Sequence, residues 1–154
     1  MSAVDYTAVA AGLSQAIPFN VHLGLATITV AEDHGVVRLP DEERLRNHVG
    51  SQHAGGLFSA GEAASGAAFV GAFLDIMGEI TPLAESASIS YKKLAKGEII
   101  ATASFSEDAE ALKTKLREEG RIRFPVQVQM TDSGGNVVAE MTVDWYVRLS
   151  NAGS

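Results

Sequence analysis

The stretch NHVGSQHAGGLFSAGEAASG, Asn47–Gly66, places two histidines, five glycines and one carboxylate in twenty residues. Glu62 falls inside an apolar run, and a buried charge is costly unless something answers it. One answer is a salt bridge to Arg44 or Arg46, or an outlet to solvent. The other lies in its neighbours. HAGG opens the same run, and a helix starting there leaves backbone N–H groups unpaired at its positive end. Such donors hold an anion or polarise a carbonyl oxygen, as an oxyanion hole does. Asn47 and His53 add polar groups just upstream.

Spacing constrains how these groups could cooperate. Glu62 follows His53 by nine residues, about 13 Å along a helix rising 1.5 Å per residue. One chain does not bring its own carboxylate beside its own helix N-terminus. Two chains with these helices side by side and antiparallel do. A site built from these groups therefore spans a dimer interface. His48, His53 and Glu62 do not have the spacing of a metal site, and none is expected. His22 and His34 have no evident partners and read as surface residues.

The remaining composition narrows the class. The 154 residues suit one domain, 1–154, with a substantial core, and the 46% hydrophobic content fits a globular chain. A net charge of −7 and the lack of a basic run argue against a nucleic-acid partner. With no cysteine, disulfides, thiolate metal sites and a Cys nucleophile are excluded. The N-terminus has no basic segment before an apolar one, so a cytoplasmic protein is expected. Ala54–Met77 has the length of a membrane span. Its Ala, Gly and Ser content and its Glu62 favour a buried helix instead, and no membrane partner is expected.

The elements that must position these residues follow from periodicity. Residues 1–17 predict an N-terminal helix stopped by Pro18. HLGLATITVAEDHGVVRLP predicts a β-hairpin turning at Asp33–Gly35. The Ala/Gly run predicts a central helix over 53–77. Four strands follow in ESASISYKKLA, GEIIATASFS, RIRFPVQVQMTD and NVVAEMTVDWYVRLS. A short helix, 107–119, is inserted before the third, with Ser106 as its N-cap and Gly120 as its stop. The final NAGS reads as a frayed end. Six strands of period two form a sheet with one buried face, and the Ala/Gly helix is the object to bury. Gly55, Gly56, Gly61, Gly66 and Gly71 then serve close packing. The fold class is α+β, a curved antiparallel sheet wrapped around a long helix.

At these residues the chain resembles the hotdog-fold acyl-CoA thioesterases of the phenylacetyl-CoA thioesterase type, in a branch with Glu on the central helix. Asn47, Gly50, His53, Gly55 and Glu62 match that motif's spacing, with Ala54 in place of its first Gly. The resemblance extends through VVRLP, ISYKKLAKGEIIATA and GRIRFPVQVQMTDSGGNVVAEMTV, over about residues 18–148. It implies hydrolysis of an acyl thioester. The Ala54 and Gly55 N–H groups would polarise the carbonyl. Glu62 of the partner would act as general base or nucleophile. Asn47 would place the water or acyl group, and His53 would brace the loop. Tyr91, Lys92, Lys93 and Arg121 form a local basic concentration suited to the phosphates of coenzyme A, or simply a solvated edge. Homodimers, pairing further into tetramers, are the expected assembly, and no cofactor is implied. The alternative is a non-catalytic hotdog module that binds acyl-CoA or only dimerises. A hydratase on this fold needs a close Asp/His pair at the site, and none is found there.

Overall fold

The computed structural model describes residues 4–150; the first residues of the expected N-terminal helix and the NAGS end lie outside them. Helix α1 spans Tyr6–Ala16, with Asp5 accepting the Ala8 N–H at 3.1 Å as its N-cap. Pro18 does not leave the chain without helix. It opens a second helix, α2 (Pro18–Leu23), that the sequence reading did not contain. Proline suits a first turn, where its missing N–H would have no helical acceptor. Gly24, at φ 73°, ends α2 in the left-handed region.

Strands β1 (Ala26–Val30) and β2 (His34–Leu39) form the expected hairpin. Helix α3 (Ala54–Phe73) is the central helix, continued by a 3-10 stretch over Leu74–Glu79. Strands β3 (Ile80–Tyr91), β4 (Ile99–Phe105), β5 (Arg121–Thr131) and β6 (Val137–Leu149) complete one antiparallel sheet in the order β1-β2-β4-β5-β6-β3. Strand β3 begins earlier than its alternation suggested and includes Pro82. It tolerates that proline because it is an edge strand, paired only with β6. Helix α4 (Ala109–Glu119) is capped by Asp108, whose carboxylate accepts the Ala111 N–H at 3.0 Å, and not by Ser106.

The sheet curves around α3 as a hotdog fold. Ile122, Phe124, Val126, Val128 and Met130 alternate onto the buried face of β5, and Ala139, Met141, Val143, Trp145 and Val147 do so on β6. Phe69 and Phe73 stack with centroids 4.7 Å apart, and Phe69 stacks on Trp145 at 5.0 Å. By composition Ala54–Glu79 could cross a bilayer, but 61% of its apolar window is buried inside the chain.

The glycines of α3 divide into two kinds. A methyl at Gly71 would overlap the Ala31 carbonyl, and one at Gly61 would meet Met141 Sδ at 2.5 Å. Gly56 and Gly66 have room for a methyl, so close packing does not require them. Gly35, on β2, is the partner glycine that the sequence reading left out: a Cβ there would lie 2.5 Å from the Ala68 backbone nitrogen. Gly71→Ala is therefore expected to destabilise by about 1–3 kcal/mol or more, since backbone must move. Gly66→Ala should stabilise by about 0.5–1 kcal/mol through helix propensity. Chemical denaturation of both variants checks the opposite signs.

Candidate functional site

The loop before α3 builds the site's first half. Asn47 Oδ1 accepts the N–H groups of Val49 and Ser51, each at 3.1 Å, and its Nδ2 donates to Ser51 Oγ at 2.8 Å. Its polar atoms are thus engaged in folding the loop. Gln52 anchors the loop from below: Nε2 donates to the carbonyls of Pro40 and Gly97, both at 2.9 Å. The loop's exit sets His53 as the N-cap of α3, with φ −65° and ψ 141°.

At the helix start, the His53 ring takes one of the two expected donors. Its Nδ1 accepts the Gly55 N–H at 2.8 Å. The Gly56 and Leu57 N–H groups donate to the His53 carbonyl. The Ala54 N–H has no hydrogen-bond partner among the described residues, and Ala54 is exposed. Of the two amides, Ala54 is the one free to bind an oxygen. An open cavity of about 450 Å³ lies here, lined by His53, Gly55, Ser59, Phe19 and Phe58 among others.

Glu62 sits two turns further along α3, in a second cavity of about 170 Å³. Its walls include Leu13, Ile17, Phe69, Val70, Met77 and Trp145. The carboxylate makes no ion pair or hydrogen bond with any described residue. The arginines that might have answered it are engaged elsewhere: Arg44 with Glu42 and the His22 carbonyl, Arg46 with Asp41. Burial in this apolar setting raises the Glu62 pKa above its ordinary value. The backbone below it is fixed, because Ser65 Oγ donates to the Glu62 carbonyl at 2.7 Å and receives the Trp145 indole N–H at 3.2 Å.

The structure separates the two halves within one chain. Ala54 and Glu62 are eight residues apart on α3, about 12 Å along its axis. They share one half-exposed stripe of the helix with Ser59, Ala63, Gly66 and Val70.

The basic residues are also divided. Tyr91 reaches the start of α3, its hydroxyl donating to the Ala54 carbonyl at 3.3 Å, and Lys92 and Lys93 follow it, exposed. Arg121 is not with them. It pairs in register with Arg148, whereas Tyr91 pairs with Ala139. Those positions are nine residues apart on β6, about 30 Å. Neighbouring Arg123 is held by Glu85 at 2.8 Å and lies over the Tyr146 ring. No cluster of three metal-ligating side chains occurs among the described residues.

Two wall residues escaped the sequence reading as site components, Asn20 and Trp145, as did Ser65, which holds the Trp145 indole from behind. Trp145 read as a sheet residue, and only its stacking on Phe69 turns it into a cavity wall.

A family model described as "Domain of unknown function (DUF4442)" matches residues 6–147. No curated protein matches the sequence. Among solved structures, the chain is similar to a protein of unknown function from Pseudomonas aeruginosa described as a probable thioesterase. The two are 26% identical, with 95% of this chain and 97% of that one covered and a TM-score of 0.85. It is similar in fold to a thioesterase family protein from Silicibacter pomeroyi, at 16% identity, 95% and 100% coverage and a TM-score of 0.75. The E. coli PaaI protein from the phenylacetic acid degradation operon shares the fold at 17% identity, 95% and 97% coverage and a TM-score of 0.71.

Proposed function

Because the chain belongs to the DUF4442 family, we propose that its members with this site hydrolyse acyl thioesters, acyl-CoA among them, at a site shared by two subunits. The observation that carries the reading is Glu62: a carboxylate without a partner among the described residues, in an apolar cavity, on the helix whose first amide bonds to none of them. The likeness to a probable thioesterase over nearly the whole chain supports it.

The thioester oxygen would accept the Ala54 N–H of one subunit. Glu62 of the other would take a proton from water as the water oxygen attacks the carbonyl carbon. Collapse of the tetrahedral species breaks the C–S bond, and the thiolate leaves to be protonated as the free thiol. Direct attack by the Glu62 carboxylate is the other route, through an anhydride that water then opens. The Gly55 N–H becomes a second donor if the His53 ring turns away. Lys92 and Lys93, exposed just after β3, are the nearby basic residues offered to the phosphates of the leaving group.

A dimer is supported by what one chain leaves uncovered. Strand β3 is a twelve-residue edge with exposed Leu83 and Tyr91, and Phe58 is exposed on α3. Long unpaired edges are normally covered.

A non-catalytic module is the second reading, favoured by the Gly55 N–H already held by His53 and by Asn47 spent on its loop. Turnover of short, medium, long and aromatic acyl-CoAs, followed by thiol release, separates the two. The expected result is thiol release above the spontaneous rate for at least one class. Thermal stabilisation by an acyl-CoA without turnover would establish the module instead.

A further inference from the structure

The Glu62 cavity contains a second polar group that bonds to no described residue. Asn20, on α2, is 9% exposed and lines this cavity, and its side-chain amide has no hydrogen-bond partner among the described residues. The rest of the wall is almost wholly apolar: Leu13, Ile17, Phe69, Val70 and Trp145. The amide atoms are open to whatever fills the cavity; they offer two donors and an acceptor, and an occupant that displaces water without answering them leaves them unpaired. No hydrogen bond among the described residues runs through this side chain. The contacts that end α2 run through the Asn20 backbone carbonyl, which accepts the N–H groups of Gly24 and Leu25. Leucine would fill the position at similar volume without an unanswered polar group.

Size limits the occupant. The cavity's volume of about 170 Å³ is close to that of a roughly 150 Å³ apolar cavity that accommodates benzene in another protein. A group of about six heavy atoms fits that comparison; a long acyl chain does not.

Resting on the thioesterase reading, we propose that Asn20 is a specificity-determining residue that selects short acyl groups bearing a hydroxyl. The hydroxyl donates to the Asn20 carbonyl oxygen or accepts from its N–H, while the apolar walls hold the carbons. A site built to bond a substrate hydroxyl discriminates strongly against the analogue lacking it, because that analogue leaves the protein group buried and unpaired.

The test uses non-hydrolysable thioether analogues of hexanoyl-CoA, 3-hydroxyhexanoyl-CoA and 6-hydroxyhexanoyl-CoA, with binding measured by calorimetry. At least one hydroxylated analogue should bind wild-type protein tenfold or more tightly than the plain one. In Asn20→Leu the preference should vanish or reverse, with Tm equal to or above that of the wild type. A structural asparagine would instead lower Tm when replaced. Equal affinity of all three analogues for the wild type, or a preference that survives in Asn20→Leu, overturns the proposal. Hydrolysis of the matching thioesters is measured in parallel. Binding preference without hydrolysis rejects the thioesterase reading and keeps the role of Asn20; hydrolysis without preference does the reverse. Should Asn20→Leu fail to fold, Asn20→Ser serves: it keeps a smaller polar group, so the preference should fall but not vanish.

Discussion

Glu62→Gln is expected to lower kcat at least about a hundredfold while leaving the protein more stable at neutral pH. The amide keeps the shape of the side chain and cannot take a proton from water, and general bases contribute about 10²–10⁴ in rate. The stability change follows from the same burial. Desolvation raises the Glu62 pKa, so between the ordinary carboxylate value and the raised one the folded chain holds a proton that the unfolded chain has lost. Stability therefore falls as pH rises through that window and stays lower above it. Gln carries no charge to desolvate, so that fall is absent in the variant. Wild-type turnover should decline on acidification from a higher pH than an ordinary carboxylate would dictate, because the base must be ionised. Steady-state rates and thermal melts across pH check both halves. Undiminished turnover in Glu62→Gln would remove the carboxylate from the mechanism.

The centre of the candidate site was legible in the sequence because its components lie close together in the chain. His53, the following amides and Glu62 all sit on one helix, so residue spacing converts directly into distance. The sheet was legible for a similar reason: alternation on β5 and β6 marks their buried faces residue by residue. What required the fold was anything whose position depends on how strands pair. Arg121 and Lys92 are both basic and both near strand ends, but only register shows that those ends are opposite. Asn20 lies 42 positions before Glu62, and a lone amide in a six-residue helix leaves no periodic trace. Its helix was itself hidden, since Pro18 reads equally as an end and as a beginning. The glycines show a further limit. Composition announced close packing, yet only the structure separates Gly71, where backbone meets backbone, from Gly66, where a methyl fits.

Ala54→Pro is the companion test, and this position makes it unusually clean. Ala54 is the first residue of α3, where proline is tolerated and even preferred. The residue before it, His53, already has the extended conformation that a following proline demands. The Ala54 N–H that proline removes bonds to no described residue. The variant should therefore keep its fold and lose only a donor. Removing one oxyanion-hole donor costs about 10²–10³ in kcat, and Ala54→Gly, which keeps the amide, should turn over at least as fast as wild type. Combining Ala54→Pro with Glu62→Gln then locates the two halves of the site. If each site takes its amide from one chain and its carboxylate from the other, a mixed dimer of the two variants holds one doubly damaged site and one intact site. The two inactive homodimers should thus yield a heterodimer with about half the wild-type activity, for independent sites related by a two-fold axis. The roughly 12 Å between these residues along a single helix is why restoration is expected. The variants are unfolded together, refolded, and the heterodimer isolated through distinct tags before assay. A confirmed heterodimer no more active than the mean of its parents would place amide and carboxylate in the same chain, and the shared site would have to be abandoned.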